Sequence, residues 1–265
     1  MSIAAEAKRI VIKVGTSTLT HPSGHINIRL MEKLVKVLAD IKNTDRELVL
    51  VSSGAIGVGM GKLGLRERPK TIPGKQAAAA VGQCELMYLY DKYFSEYNHT
   101  VGQVLLTRYS LDDAESRENV RNTFEALFGM GAIPVVNEND TVATDEIRVG
   151  DNDTLSAIVT QIIDADAMVI LSDIDGLYTA DPARDAAAVL VPEVREITDA
   201  LMETASGAGS SRGTGGMLTK LSAGRIATSA GADMYILNGK NPDILYDLLE
   251  GGAVGTHFAG RKEPV

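Results

Sequence analysis

Two rhythms of apolar residues run through this chain. Short β-branched runs at Ile10–Val14, Leu48–Val51, Val101–Leu106, Ile133–Val136, Met168–Leu171 and Met234–Leu237 have the length and composition of strands. Between them lie stretches at helical spacing. Leu30, Leu34, Val37, Leu38 and Ile41 make one apolar stripe; Val120, Phe124, Leu127 and Phe128 make a second, closed by Gly129 and Gly131. Leu155, Ile158, Val159, Ile162 and Ile163 make a third. Strands alternating with helices predict an α/β fold, a three-layer αβα sandwich with a mostly parallel central sheet. No low-complexity linker, repeat or charge block divides the chain, so residues 1–265 read as a single domain.

Within that frame the polar residues cluster. Lys13 and Gly15 close the first strand, Ser52-Ser53-Gly54 the second, Asn137-Glu138-Asn139-Asp140 the fourth and Ser172-Asp173 the fifth. In a parallel sheet these all fall along one edge, the carboxyl edge where open α/β sheets bind ligands. Lys13 is the sharpest signal, a lone ammonium near the end of a strand apolar on both faces. Desolvating it is costly, so it asks for an anion.

Three further segments bear on that anion. Ser53 to Gly61 follows a strand, opens a helical segment and carries glycines at 54, 57, 59 and 61. It suits either a phosphate approached by backbone N–H groups or a tight turn with close helix packing. It matches neither a dinucleotide fingerprint nor a Walker A loop. Gly207 to Lys220 is glycine-rich, with a helix expected from about Gly216 and Lys220 in its first turn, where a cation opposes the helix dipole and invites an anion. Gly150-Asp151-Asn152-Asp153 precedes the third helical stripe. There Asp153 can serve as an N-cap, as a carboxylate holding two lysines, or as both. Asp140 can hold an ammonium, and Asn152 can donate to a carboxylate and accept from an amine. Glu138 and Asp151 read as solvated or structural.

Composition narrows the classes. The formal charge of −9 argues against a nucleic-acid surface. No apolar run reaches the roughly 20 residues of a membrane span, and the amino terminus lacks a signal-peptide core, so a cytoplasmic location is expected. Cys84, the single cysteine, has no basic flank and reads as a buried structural thiol. His21, His25, His99 and His257 have no metal-ligand spacing, and there is no G-x-S-x-G elbow.

Taken together, the segments Ile12–Ser17, Val51–Ile56, Lys75–Gln83, Val136–Asp140, Val149–Asp153, Gly176–Pro182 and Gly213–Lys220 resemble the amino acid kinase family, and within it the branch acting on glutamate. The likeness spans essentially the whole chain. The pairing of Asn-Glu-Asn-Asp with Gly-Asp-Asn-Asp is its most specific part. The resemblance implies ATP-dependent phosphorylation of the γ-carboxylate of L-glutamate, the first step of proline biosynthesis. It implies Ser53, Gly54, Asp140 and Asn152 at the amino acid. It implies Lys13, Gly15, Ser172, Asp173, Thr214, Gly215, Gly216, Met217, Leu218, Thr219 and Lys220 at ATP, with Lys13, Lys220 and Asp153 catalytic. It further implies Mg2+, feedback inhibition by proline, a homo-oligomer (dimer or tetramer) and transient contact with a glutamyl phosphate reductase. Many family members carry an additional C-terminal RNA-binding-type domain; none is expected here. The residues leave two alternatives: a related kinase acting on acetylglutamate, aspartate, carbamate or UMP, or a non-catalytic ligand sensor.

Overall fold

The structure, a computed structural model, describes residues 3–21, 23–142, 151–207 and 216–261. Eight strands form one sheet: β1 (Arg9–Val14), β2 (Glu47–Ser52), β3 (Val101–Leu106), β4 (Ile133–Glu138), β5 (Ala167–Ser172), β6 (Glu193–Val194), β7 (Asp233–Asn238) and β8 (Thr256–Phe258). The helices are α1 (Ile3–Glu6), α2 (Thr16–Leu19), α3 (Ile28–Lys42), α4 (Ala55–Leu63), α5 (Ile72–Ser95) and α6 (Arg108–Asp112). They continue with α7 (Ala114–Gly129), α8 (Asn152–Ile162), α9 (Asp199–Gly207), α10 (Met217–Ser229) and α11 (Ile244–Leu249). The strand order is β3-β4-β2-β1-β5-β7-β8-β6. Every pairing is parallel except β7 with β8. All six expected strands and the three expected stripes are present.

The period of two along each strand sorts the core. Ile10, Ile12 and Val14 of β1, Leu48 and Leu50 of β2, and Ile133 and Val135 of β4 pack on one face, against α3, α4 and α5. Val11, Val49, Val51 and Val136 face the other way, onto α7 and α8. Met168, Ile170, Met234 and Ile236 continue that second face under α10. Lys13 shares its parity with Val11, so its side chain leaves the sheet on the α8 side. Ser52 and Asn137 share theirs with Leu50 and Val135, which turns them toward α5. The opposite, amino edge is closed by structural contacts: Arg9 pairs with Glu47 and Glu125, each at 2.7 Å, and lies over the Phe128 ring.

One helix lies outside the expected stripes, and one expectation is corrected. Helix α5 is the longest of the fold and was not foreseen from its periodicity. Its buried positions include Ala78, Ala79 and Gly82, while Ala77 and Ala80 are exposed, so small residues occupy both faces and blur the stripe. Those small residues have a purpose. Added Cβ atoms at Gly59 of α4 and Gly82 of α5 would collide with the backbone of Ala78 and Ala55, so the two helices cross almost backbone to backbone. Cys84 is exposed rather than buried, because it lies two residues, about 200°, around α5 from Gly82.

Candidate active site

At the carboxyl edge the strand ends come in the order β4, β2, β1, β5, β7. The polar clusters of the sequence are therefore neighbours in space. At the centre stands Lys13, whose Nζ lies 2.6 Å from Asp153 Oδ1. Lys220, arriving on α10, places its Nζ 3.2 Å from Asp153 Oδ2. The Thr219 hydroxyl donates to the same Oδ2 at 3.3 Å. Asp153 is fully buried, and both lysines are almost so. Burial by itself raises the Asp153 carboxyl; the charges and hydrogen bonds of Lys13 and then Lys220 outweigh it and hold the group below the ordinary carboxylate range. One carboxylate between two ammonium groups keeps both extended side chains aimed at one point. The three charges together carry one more positive than negative, a composition suited to an anion.

Three consecutive residues at the start of α8 take three tasks. Asp151 is the N-cap, its Oδ1 accepting from the Thr154 N–H at 2.8 Å. This corrects the reading of Asp153 as a cap: the helix begins two residues earlier, and Asp153 is already inside its first turn. Asn152, the first helical residue, turns toward β2 and β4. Its Nδ2 donates to Ser53 Oγ at 2.9 Å, to Asn137 Oδ1 at 3.1 Å and to the Ser52 carbonyl at 3.3 Å. Asn152 Oδ1 is buried and meets no donor among the described residues. Asp153, roughly 100° further round the helix, turns to the lysines. One helix terminus thus joins a polar cluster at the ends of β2 and β4 to a cationic centre.

Other expected site residues fall around these two. Asp140 sits two residues beyond β4, which lies between β3 and the strand that leads to Ser53. Gly54 has φ 103°, a left-handed conformation that accounts for glycine there whatever its ligand. Further along the same segment, Gly59 lets α4 approach the Ala78 backbone of α5. Helices α2, α4 and α10 start at Gly15, Gly54 and Gly216, and none is capped by a side chain. Of these starts, Gly15 lies beside the Lys13 ammonium. Met217, Leu218 and Thr219 form the first turn of α10, with Leu218 partly exposed. On the far side of β1, Ser172 closes β5 and donates to Asp173 Oδ1 at 3.1 Å. Thr214 and Gly215 lie outside the described residues.

Some contributors were not assigned from sequence. Glu138 is buried rather than solvated, since it is the last residue of a strand covered on both faces. Asn137 and Gln83 extend the Asn152 network, with Asn137 Nδ2 donating to Gln83 Oε1 at 2.8 Å. Tyr90 of α5 meets Ser52 Oγ at 2.8 Å, buried beneath the β2 terminus. Asp175 accepts from Asn238 and Tyr178 and ties the loop after β5 to the end of β7; these bonds, Asn238 first, hold its carboxyl below the ordinary range. Polar residues at the core ends of strands were the available signal. No periodicity links Gln83 to Asn137 across 54 residues.

Comparison with known proteins follows the same lines. The family model described as the amino acid kinase family matches residues 8–238. Glutamate 5-kinase of Clostridium perfringens (strain 13 / Type A) is 55% identical over 261 residues, covering 97% of both chains. Glutamate 5-kinase of Listeria innocua serovar 6a is 54% identical, over 97% of this chain and 95% of its own. In fold, the chain resembles the UMP kinase from Bacillus anthracis with TM-score 0.65 at 14% identity, over 97% of each chain. It also resembles the T. acidophilum isopentenyl phosphate kinase with TM-score 0.62 at 20% identity, over 94% of this chain and 99% of that one. By sequence over nearly its full length, and by its three-layer architecture, the chain belongs to the amino acid kinase family.

Proposed function

We propose that the chain transfers the γ-phosphoryl group of ATP to the γ-carboxylate of L-glutamate, giving glutamyl 5-phosphate and ADP, as the entry step of proline biosynthesis. The observation that carries this reading is the Lys13–Asp153–Lys220 cluster beside the Ser53–Asn152 niche, in a chain 55% identical to a glutamate 5-kinase. The nucleophile is already ionised at neutral pH, so the reaction needs alignment and charge neutralisation rather than a general base. A γ-carboxylate oxygen forms a bond to the γ-phosphorus, and the bond from that phosphorus to the β,γ-bridging oxygen breaks. In this proposal Lys13 neutralises the transferring phosphoryl group and Lys220 the leaving β-phosphate side, while Asp153 keeps both in line. Ser53, Asn152 and Asp140 hold the zwitterionic end of glutamate, and the N-termini of α2, α4 and α10 receive phosphate oxygens. Ser172 and Asp173 lie on the nucleotide side.

Magnesium would enter as the complex of ATP, held by phosphate oxygens and water. Both Asp153 oxygens face ammonium groups, and the described residues contain no cluster of three His, Cys, Asp or Glu able to hold a metal. Proline inhibition, a homo-oligomer and hand-over of the labile product to a reductase belong to the same proposal. The test is ATP turnover with hydroxylamine trapping of the acyl phosphate across a panel of acceptors. Hydroxamate with glutamate, and not with aspartate, acetylglutamate or carbamate, supports it; hydroxamate with another acid, or ADP release indifferent to glutamate, rejects it.

A further inference from the structure

The hydrogen bonds around Asn152 run in one direction. Its Nδ2 faces the Ser52 carbonyl, a group that can only accept, so Oδ1 must point the other way. Asn137 is oriented just as firmly: its Oδ1 accepts from the Glu138 backbone N–H at 2.9 Å, a group that can only donate. The same Oδ1 receives Asn152 Nδ2 at 3.1 Å. Asn137 Nδ2 is thereby left facing α5, where Gln83 Oε1 accepts it at 2.8 Å. Gln83, Asn137 and Asn152 form a relay in which each amide donates to the one before it. The side-chain nitrogens of Asn137 and Asn152 are both used inside the protein. What remains at the end of the relay is an acceptor, the buried Asn152 Oδ1 that meets no donor among the described residues.

A buried carbonyl oxygen without a donor is costly unless a ligand supplies one. An amide oxygen in that position suits an ammonium and repels a carboxylate. Resting on the functional reading above, we infer that Gln83 is a positioning residue for the free α-ammonium of the substrate: it anchors the amide relay from α5 so that Asn152 Oδ1 faces that group. Gln83 touches no substrate itself. It stands on the helix that crosses α4 backbone to backbone at Gly82 and Gly59, so its anchor point is rigid. The relay makes the site selective for an unblocked amino acid, because a ligand lacking the amino group leaves the same oxygen unsatisfied.

The test compares Gln83→Met, which keeps the length and removes the acceptor, with Gln83→Glu, which keeps an acceptor. Gln83 is partly exposed, so both variants are expected to fold. For Gln83→Met the glutamate KM should rise about tenfold, or about 1.4 kcal/mol, with kcat and the ATP KM within about twofold of the parent. The inhibition constant of glutarate, which lacks the amino group, should stay within about twofold. Gln83→Glu should restore the parent ratio of the two constants. Glutamate and glutarate weakened by the same factor in Gln83→Met, or neither weakened, would overturn the inference. A parent enzyme that does not phosphorylate glutamate would overturn the functional reading and this inference with it, a result visible before any variant is made.

Discussion

Asp153 is the buried carboxylate between Lys13 and Lys220, and that environment makes its loss measurable. Replacing it with Asn leaves two buried ammonium groups facing one another, a change that typically costs about 3–5 kcal/mol when one partner of a buried pair is removed. The carboxyl is held below its ordinary value in the folded chain. Its contribution to stability is therefore full above the unfolded pKa, near 3.9, and is lost as pH falls toward the lower folded value. Urea unfolding should show Asp153→Asn well below the parent at pH 7, with the gap closing below about pH 4. An equal gap at both pH values would mean that the cost is one of packing. Lys13 was legible in the sequence because an ammonium in an apolar strand has few explanations. The partnership with Lys220 was legible only as an expectation, since the residues lie on β1 and on α10, elements far apart in the chain. Gln83 and Tyr90 were silent: a glutamine and a tyrosine on a helix look ordinary until the strand ends they touch are known.

Helix starts and helix crossings do the positioning. The first turn of α8 serves both halves of the site because successive residues point about 100° apart. The stripe at Leu155 to Ile163 revealed that helix, but its first turn carries no apolar residue, so the cap was misplaced by two positions. Helix α5 illustrates the opposite failure, its packing face being made of the small residues that carry the weakest periodic signal. Its crossing with α4 is open to test. Gly82→Ala puts a methyl group against the backbone of Ala55, where no rotamer change can relieve it. Overpacking of this kind typically costs about 1–3 kcal/mol. Thermal unfolding should fall accordingly, and the glutamate KM should rise because α4 follows directly from Ser53 and Gly54. Unchanged stability would show that the two helices separate easily.

The architecture is shared with kinases that act on quite different acceptors, a UMP kinase and an isopentenyl phosphate kinase among them. Fold alone therefore does not select glutamate. In the proposed function the selection lies in which groups the carboxyl edge gathers: β4 and β2 lie to one side of β1, assigned there to the acceptor, and β5 and β7 to the other, assigned to the nucleotide. The two sides should fail separately. Asp140→Ala should weaken glutamate binding at least about tenfold, or about 1.4 kcal/mol, while calorimetric ATP affinity is largely kept; equal losses for both ligands would show Asp140 to be misassigned. At the centre, the direct test is kcat for hydroxamate-trapped glutamyl phosphate in Lys13→Ala and Lys220→Ala at saturating ATP and glutamate. Two ammonium groups acting on the transferring phosphate predict a fall of at least about 10²-fold in each variant, roughly 2.7 kcal/mol. A near-normal kcat with only a raised KM would contradict the account.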